Sequence, residues 1–261
     1  MIGLFLGDTD FSEIVLNKII KLKKKYFIID FSKNNKFKKD INSNRISIGK
    51  FGKIINLIKE KKSKKVLFAG KIAKPKFSTL RLDLKGIYYM PSVIKAAKSG
   101  DAAIIKAIIK ILEKEKIKVI SSNFFNPELS LKAKNYTKPK PNSKEIKSIK
   151  KGVLYFNQLN SLDHVQALIV KDEKVIATEG NQGTKKMLSK LKKGSAGILI
   201  KLPKKKQDLR MDLPTIGLNT LKDCKKYGLK GIVLKSKKNI FLDKEKCISF
   251  ANKNKIFIKI I

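Results

Sequence analysis

Apolar positions along this chain switch repeatedly between two spacings. Short runs rich in β-branched and aromatic residues alternate with stretches whose apolar side chains recur every three or four positions. IGLFLG (2–7) reads as a strand, residues 11–24 as a helix, and YFIIDF (26–31) as a second strand. A helix is predicted over about 50–60, where Ile54, Ile55 and Ile58 keep helical spacing, before a strand at VLFAG (66–70). A longer helix around 99–115 precedes a strand at IKVISS (117–122). Such alternation predicts a parallel, doubly wound, Rossmann-like sheet. Ligands of these sheets bind beyond the carboxyl ends of the strands. Gly7-Asp8, Gly70-Lys71 and the Gly100-Asp101 helix start are therefore candidate rim positions.

Residues 126–144 (NPELSLKAKNYTKPKPNSK) carry three prolines and no periodicity, and read as a linker. A helix is predicted over about 143–160, followed by a hairpin in VQALIVKDEKVIAT that turns at Asp172-Glu173. A helix near 184–192, a strand at GILIKL (197–202), a helix over 218–227 closed by Gly228, and the runs GIVLK and NIFLD complete the pattern. The fold class expected is α/β with two α/β domains. Residues 1–130 form the Rossmann-like domain with a parallel sheet, and residues 131–261 a second α/β domain with a mixed sheet.

Composition changes this picture little. The chain has 61 Lys+Arg against 21 Asp+Glu, a formal charge of +40. At 42% apolar residues it falls outside the disordered class. Lys, Ile and Asn are inflated together and the lysines spread over the whole length, so the charge reads first as a compositional bias. The aromatics are too scattered to form base-stacking platforms, and no nucleic-acid partner is expected. Cys224 and Cys247 fall in helix-like segments without a CxxC or Cys/His pairing, as buried free thiols of a reducing compartment would. No cationic region followed by an apolar one opens the chain. The most apolar helical run, AAIIKAIIKIL (102–112), is broken by Lys106 and Lys110 and cannot span a bilayer. A soluble, cytosolic protein is expected.

The candidate chemistry lies in QDLRMDLPTIG (207–217). Two scarce carboxylates, Asp208 and Asp212, bracket Arg210, one of the chain's three arginines. An extended segment would place Asp208, Arg210 and Asp212 on one face, and Leu209, Met211 and Leu213 on the other. A strongly cationic chain keeps both carboxylates ionised, and ionised oxygens suit Mg2+, which adds water and substrate phosphate to its shell. The Arg210 guanidinium is a fork for phosphate. Pro214 leads to a helix beginning near Asn219, whose free N–H groups favour an anion. These parts suit metal-assisted attack on a phosphoanhydride; an exposed Asp–Arg–Asp salt-bridge ladder beside a turn is the plainer reading. Lys201, at the end of GILIKL, could meet the same phosphate. Glu179, ahead of Gly183-Thr184, reads as a ligand, a base or an ordinary loop acid. His164, the sole histidine, reads as structural beside Asp163. No Ser/His/Asp set, His/Cys metal cluster or phosphate-binding GxxxxGK[ST] loop is present.

The run containing Lys201, Gln207, Asp208, Arg210, Asp212, Pro214, Thr215 and Gly217 resembles the signature of the bacterial UDP-2,3-diacylglucosamine pyrophosphatase family of lipid A synthesis. IGKFGKIINLIK…VLFAGKIAKP (48–75), the Gly100-Asp101 helix start, and the LDxxQAxxV element with Asp163 and Gln166 extend the likeness over nearly the whole chain. The resemblance implies Mg2+-dependent hydrolysis of UDP-2,3-diacylglucosamine to UMP and 2,3-diacylglucosamine 1-phosphate. Water would attack the nucleotide-side phosphorus, with substrate held between an N-terminal binding domain and a C-terminal catalytic one. It carries the essential aspartate onto Asp212 first and Asp208 second, both also as metal ligands. Gly7, Asp8, Gly70, Lys71, Asp101, Gln166 and Thr184 would border the substrate, joined by Glu179, Lys201, Gln207, Arg210 and Thr215. A diacylated substrate and many lysines imply peripheral contact with the cytoplasmic surface of the inner membrane, and a homodimer is left open. The chain departs from the family pattern at GDTDFS, which lacks a second glycine, at Val165, and at Gln182 and Lys185, where the pattern is acidic. The alternatives are a lipid-precursor carrier that has lost catalysis and a charge-driven nucleic-acid binder.

Overall fold

In a computed structural model the chain forms two compact units, Met1–Pro127 with Arg210–Asp212, and Glu128–Leu209 with Leu213–Ile261. The structure describes residues 1–159, 165–180, 182–192, 194–204 and 208–261.

The first unit runs β1 (Ile2–Leu6), α1 (Asp10–Lys21), β2 (Tyr26–Asp30), β3 (Ser43–Asn44), α2 (Phe51–Glu60), β4 (Lys65–Ala69), α3 (Leu84–Lys98), α4 (Asp101–Lys114) and β5 (Lys118–Val119). Among the described residues its sheet has the order β3-β2-β1-β4-β5, every pair parallel. β1, β2 and β4 are each buried along their last four residues. They are continuous apolar runs because helices cover both faces of a parallel sheet. Phe27, Ile29 and Val66 pack with Ile55 and Ile58 of α2. The strand order reverses between β1 and β4, so a crevice opens at their carboxyl ends.

Periodicity predicts nothing helical between 70 and 99, yet α3 occupies Leu84–Lys98. Its spacing is hidden because apolar residues lie on both faces and Pro91 interrupts the pattern. The helix holds through its cap. The Asp83 carboxylate accepts the Gly86 N–H of α3 (2.8 Å) and the Gly52 and Lys53 N–H groups of α2 (3.0 Å each).

The second unit runs β6 (Lys134–Asn135), α5 (Ser143–Gln158), β7 (Ala167–Lys171), β8 (Lys174–Thr178), α6 (Gly183–Ser189), β9 (Ile198–Lys201), β10 (Thr215–Ile216), α7 (Leu218–Lys226), β11 (Gly231–Leu234), β12 (Ile240–Phe241), α8 (Lys244–Lys253) and β13 (Phe257–Ile260). Among the described residues the main sheet has the order β6-β13-β11-β9-β7-β8. β9, β11 and β13 are parallel, whereas β6, β7 and β8 pair antiparallel, so the sheet is mixed as expected. Asp172 (φ 47°) and Glu173 (φ 61°) make the hairpin turn between β7 and β8. Ile169, Leu199 and Ile232 pack with Leu221, Cys224 and Cys247 of α7 and α8. Leu168, Ile200 and Val233 pack with Ile149 and Phe156 of α5. Both cysteines are buried free thiols inside helices, as the sequence predicts.

Residues 126–144, read as a linker, are not without structure of their own. Leu131 is buried in the second unit's core, its N–H bonded to Asn239 Oδ1 (3.0 Å), and β6 pairs with β13. A two-residue pairing leaves no period to read. Nor is the Asp208–Asp212 segment extended: residues 209–211 turn, and β10 starts only at Thr215. Met211 packs against the first unit's core while Leu213 belongs to the second unit. The alternation that suggests one strand is thus divided between two units.

Candidate active site

In the first unit the carboxyl ends of β1 and β4 meet through their loops. The Gly7 N–H donates to Ala69 O and the Asp8 N–H to Lys71 O, both at 2.9 Å. Ser12 Oγ, at the start of α1, lies within 2.9 Å of both Gly7 O and Ala69 O. A Cβ on Gly7 would come within 2.3 Å of Lys71 O, and Gly70 takes φ +82°. Both glycines are required by the close approach of these loops. Asp8 Oδ1 accepts the Lys33 N–H (2.7 Å), fixing the first loop to the one after β2.

Beside this crevice lies a cavity of about 370 Å³. Phe5, Phe51, Phe68, Met90, Val93 and Ile104 are among its apolar walls; Gly70, Lys71, Lys74, Asp101 and Asp212 supply its backbone and charged lining. Asp101 opens α4 after Gly100 (φ 102°) and pairs with Lys74 Nζ at 3.4 Å. Arg210 sits on α4, its Nη1 donating to Glu113 Oε1 at 2.7 Å, while its carbonyl accepts the Ser122 N–H at 2.9 Å. An apolar cavity edged by lysines and carboxylates can take a hydrocarbon chain with an anionic head at its rim.

In the second unit the predicted residues gather at the end of β9. Glu179 is buried; its Oε1 accepts the Thr184 hydroxyl (2.6 Å) and its Oε2 the Gln166 N–H (2.9 Å). Gln166 O accepts the Leu202 N–H, and Lys201 Nζ donates to Thr215 O at 3.2 Å. Gln166, Glu179 and Thr184 therefore form one hydrogen-bonded group, and Lys201 and Thr215 a second contact one residue along β9. Asp208 belongs to this unit. Gln207, Asp163 and His164 lie outside the described residues.

Sequence reasoning missed the cavity and Lys74. The cavity's phenylalanines and isoleucines obey the same periodicities as core residues, and one lysine is inconspicuous in a chain carrying so many. Among the described residues no group of three or more His, Cys, Asp or Glu gathers to cage a metal. Mg2+ commonly takes only one or two protein carboxylates and completes its shell with water and phosphate oxygens, so a cage of three is not required for it.

The LpxI N-terminal domain model matches residues 1–129 and the LpxI C-terminal domain model residues 132–259. The UDP-2,3-diacylglucosamine pyrophosphatase LpxI of Caulobacter vibrioides is 31% identical over 223 residues, 82% of this chain and 80% of that protein. With both domain models matched in order and this relative aligned over most of its length, the chain belongs to the LpxI family.

Proposed function

We propose that this chain is a phosphoanhydride hydrolase that cleaves UDP-2,3-diacylglucosamine to UMP and 2,3-diacylglucosamine 1-phosphate. The observation that carries the reading is the first unit's cavity, whose apolar walls suit an acyl chain and whose charged lining includes Asp212 of the signature. Family membership and the relative's pyrophosphatase activity support it. Lys71, Lys74 and Arg210 supply positive charge for the pyrophosphate. In the second unit Glu179, held by Thr184 and Gln166, orients its own loop. Asp212, or Asp208 as the second candidate for the same role, polarises the attacking water and would hold Mg2+; the ion, when bound, neutralises charge on the pyrophosphate oxygens. No helix among the described residues is long and apolar enough to cross a membrane. Access to a lipid substrate is peripheral, since lysines near an anionic leaflet contribute about 1 kcal/mol each.

The test is UMP release from the diacylated sugar nucleotide dispersed in detergent, with Mg2+ and again with chelator. Wild-type protein should release UMP, and Asp212→Ala should lose at least about 100-fold in turnover. Absence of wild-type turnover would overturn the hydrolase reading. Tight substrate binding without UMP would instead mark a carrier, the reading that Gln182 and Lys185 favour.

A further inference from the structure

Helix α3 is apolar on two sides. Its inner side, Gly86, Tyr89, Met90 and Val93, is buried, and Met90 and Val93 line the cavity. Its outer side carries Leu84 (86% exposed), Ile87 (59%), Tyr88 (69%), Pro91 and Ile94. At about 100° per residue, these five fall within roughly a third of the circumference. Exposed Lys95 and Lys98 share the same arc at its C-terminal end. Lys114 approaches the Tyr88 ring at 5.9 Å from α4. A soluble helix normally turns such a stripe inward, so its exposure marks a contact surface.

We propose that the outer face of α3 is a membrane-docking surface that lies in the headgroup region of an anionic bilayer. Leu84, Ile87, Tyr88 and Ile94 enter the acyl boundary and Lys95, Lys98 and Lys114 meet lipid phosphates. Charge selects this occupant. An apolar stripe with a basic border matches an anionic interface, whereas a second copy of this chain would bring its own +40 charge to the contact. Size agrees: a 15-residue helix is about 22 Å long and about 10 Å wide. One such face covers roughly 200 Å², far below the roughly 800 Å² per partner of a stable protein interface. Because the same helix walls the cavity, docking brings the bilayer to the cavity's outer wall. The inference rests on the lipid-substrate reading above and assigns it an element.

The experiment is cosedimentation with vesicles of phosphatidylglycerol and phosphatidylethanolamine, at low and high salt, for wild-type protein and a Leu84→Gln/Ile87→Gln/Ile94→Gln variant. The variant should bind vesicles at least tenfold more weakly, melt at the wild-type temperature and release UMP from detergent-dispersed substrate at the wild-type rate. An Ile41→Gln/Leu154→Gln control, altering exposed apolar residues elsewhere, should bind like wild type. Undiminished vesicle binding by the triple variant overturns the docking surface. So does a wild-type dimer that the triple variant dissociates while vesicle binding stays unchanged, because the occupant is then a second copy. If wild-type protein releases no UMP even from detergent, the lipid-substrate reading has failed instead.

Discussion

Thr184 Oγ1 lies 2.6 Å from Glu179 Oε1, joining the first turn of α6 to the loop that follows β8. The other carboxylate oxygen is taken by the Gln166 N–H, so a single buried side chain ties two other predicted site residues together. Thr184→Val keeps the shape and removes the donor. It should cost about 1–3 kcal/mol of stability in thermal unfolding, as for a buried acceptor left without its donor. If this group orients substrate, KM rises in Thr184→Val and recovers in Thr184→Ser. Equal KM values for the two variants would make Thr184 a purely structural residue.

Arg210 separates the functional reading from the plain salt-bridge reading. Its pair with Glu113 joins two half-exposed side chains, and such pairs contribute about 0–1 kcal/mol. Arg210→Ala should therefore shift the melting temperature little. As a phosphate ligand it should raise KM for the sugar nucleotide at least tenfold, with Arg210→Lys recovering part of the loss because the ammonium lacks the planar fork. A wild-type KM in Arg210→Ala would return the residue to structure.

Asp83 predicts a stability effect remote from any chemistry. Its carboxylate caps α3 and receives two N–H groups from the first turn of α2. Burial pushes its pKa up, but the hydrogen bonds from Gly52, Gly86 and Lys53 and the charge of Lys50 outweigh this, and the net shift is downward. Asp83→Ala leaves those donors unmet and should destabilise the fold by about 1–3 kcal/mol, measured by urea unfolding. Asp83→Asn should fall between wild type and alanine.

What the sequence reveals depends on how many surfaces each segment serves. α2 packs against one core, and its spacing is legible in Ile54, Ile55 and Ile58; β1, buried on both faces, is legible as the unbroken run IGLFLG. The Asp172-Glu173 turn is legible because two flanking apolar runs point to it. α3 escapes because its outer stripe and inner wall together erase the 3.6-residue contrast. The cavity escapes because Phe5 and Phe68 look like core until the space beside them is seen. The signature's residues are legible as chemistry, whereas their backbone is not: Arg210–Asp212 and Leu213 pack with different units. A pattern read as one strand cannot express that.

Glu115, just beyond α4, sets the response of the first unit to acid. Its side chain is 11% exposed and accepts hydrogen bonds from Lys59 (2.8 Å), Tyr89 (3.0 Å) and Lys85, so it joins α2 and α3 to the end of α4. Burial pushes the carboxyl up, yet the Lys59, Lys85 and Tyr89 hydrogen bonds and the Lys85 charge prevail and hold it at about 2, below the ordinary 4.5. A carboxylate whose folded pKa is depressed binds protons more readily when unfolded. Its stabilisation is therefore complete above about pH 4.5 and is lost as pH falls toward about 2. Unfolding followed from neutral pH down through this window should show wild-type stability falling. Glu115→Gln should be less stable at neutral pH by about 1–3 kcal/mol, with a shallower decline between about pH 4.5 and 2. Parallel acid profiles for the two proteins would remove Glu115 from the acid response. Because Lys85 and Tyr89 lie in α3, weakening this contact should also loosen the helix, read as faster hydrogen exchange of its backbone amides in Glu115→Gln than in wild type.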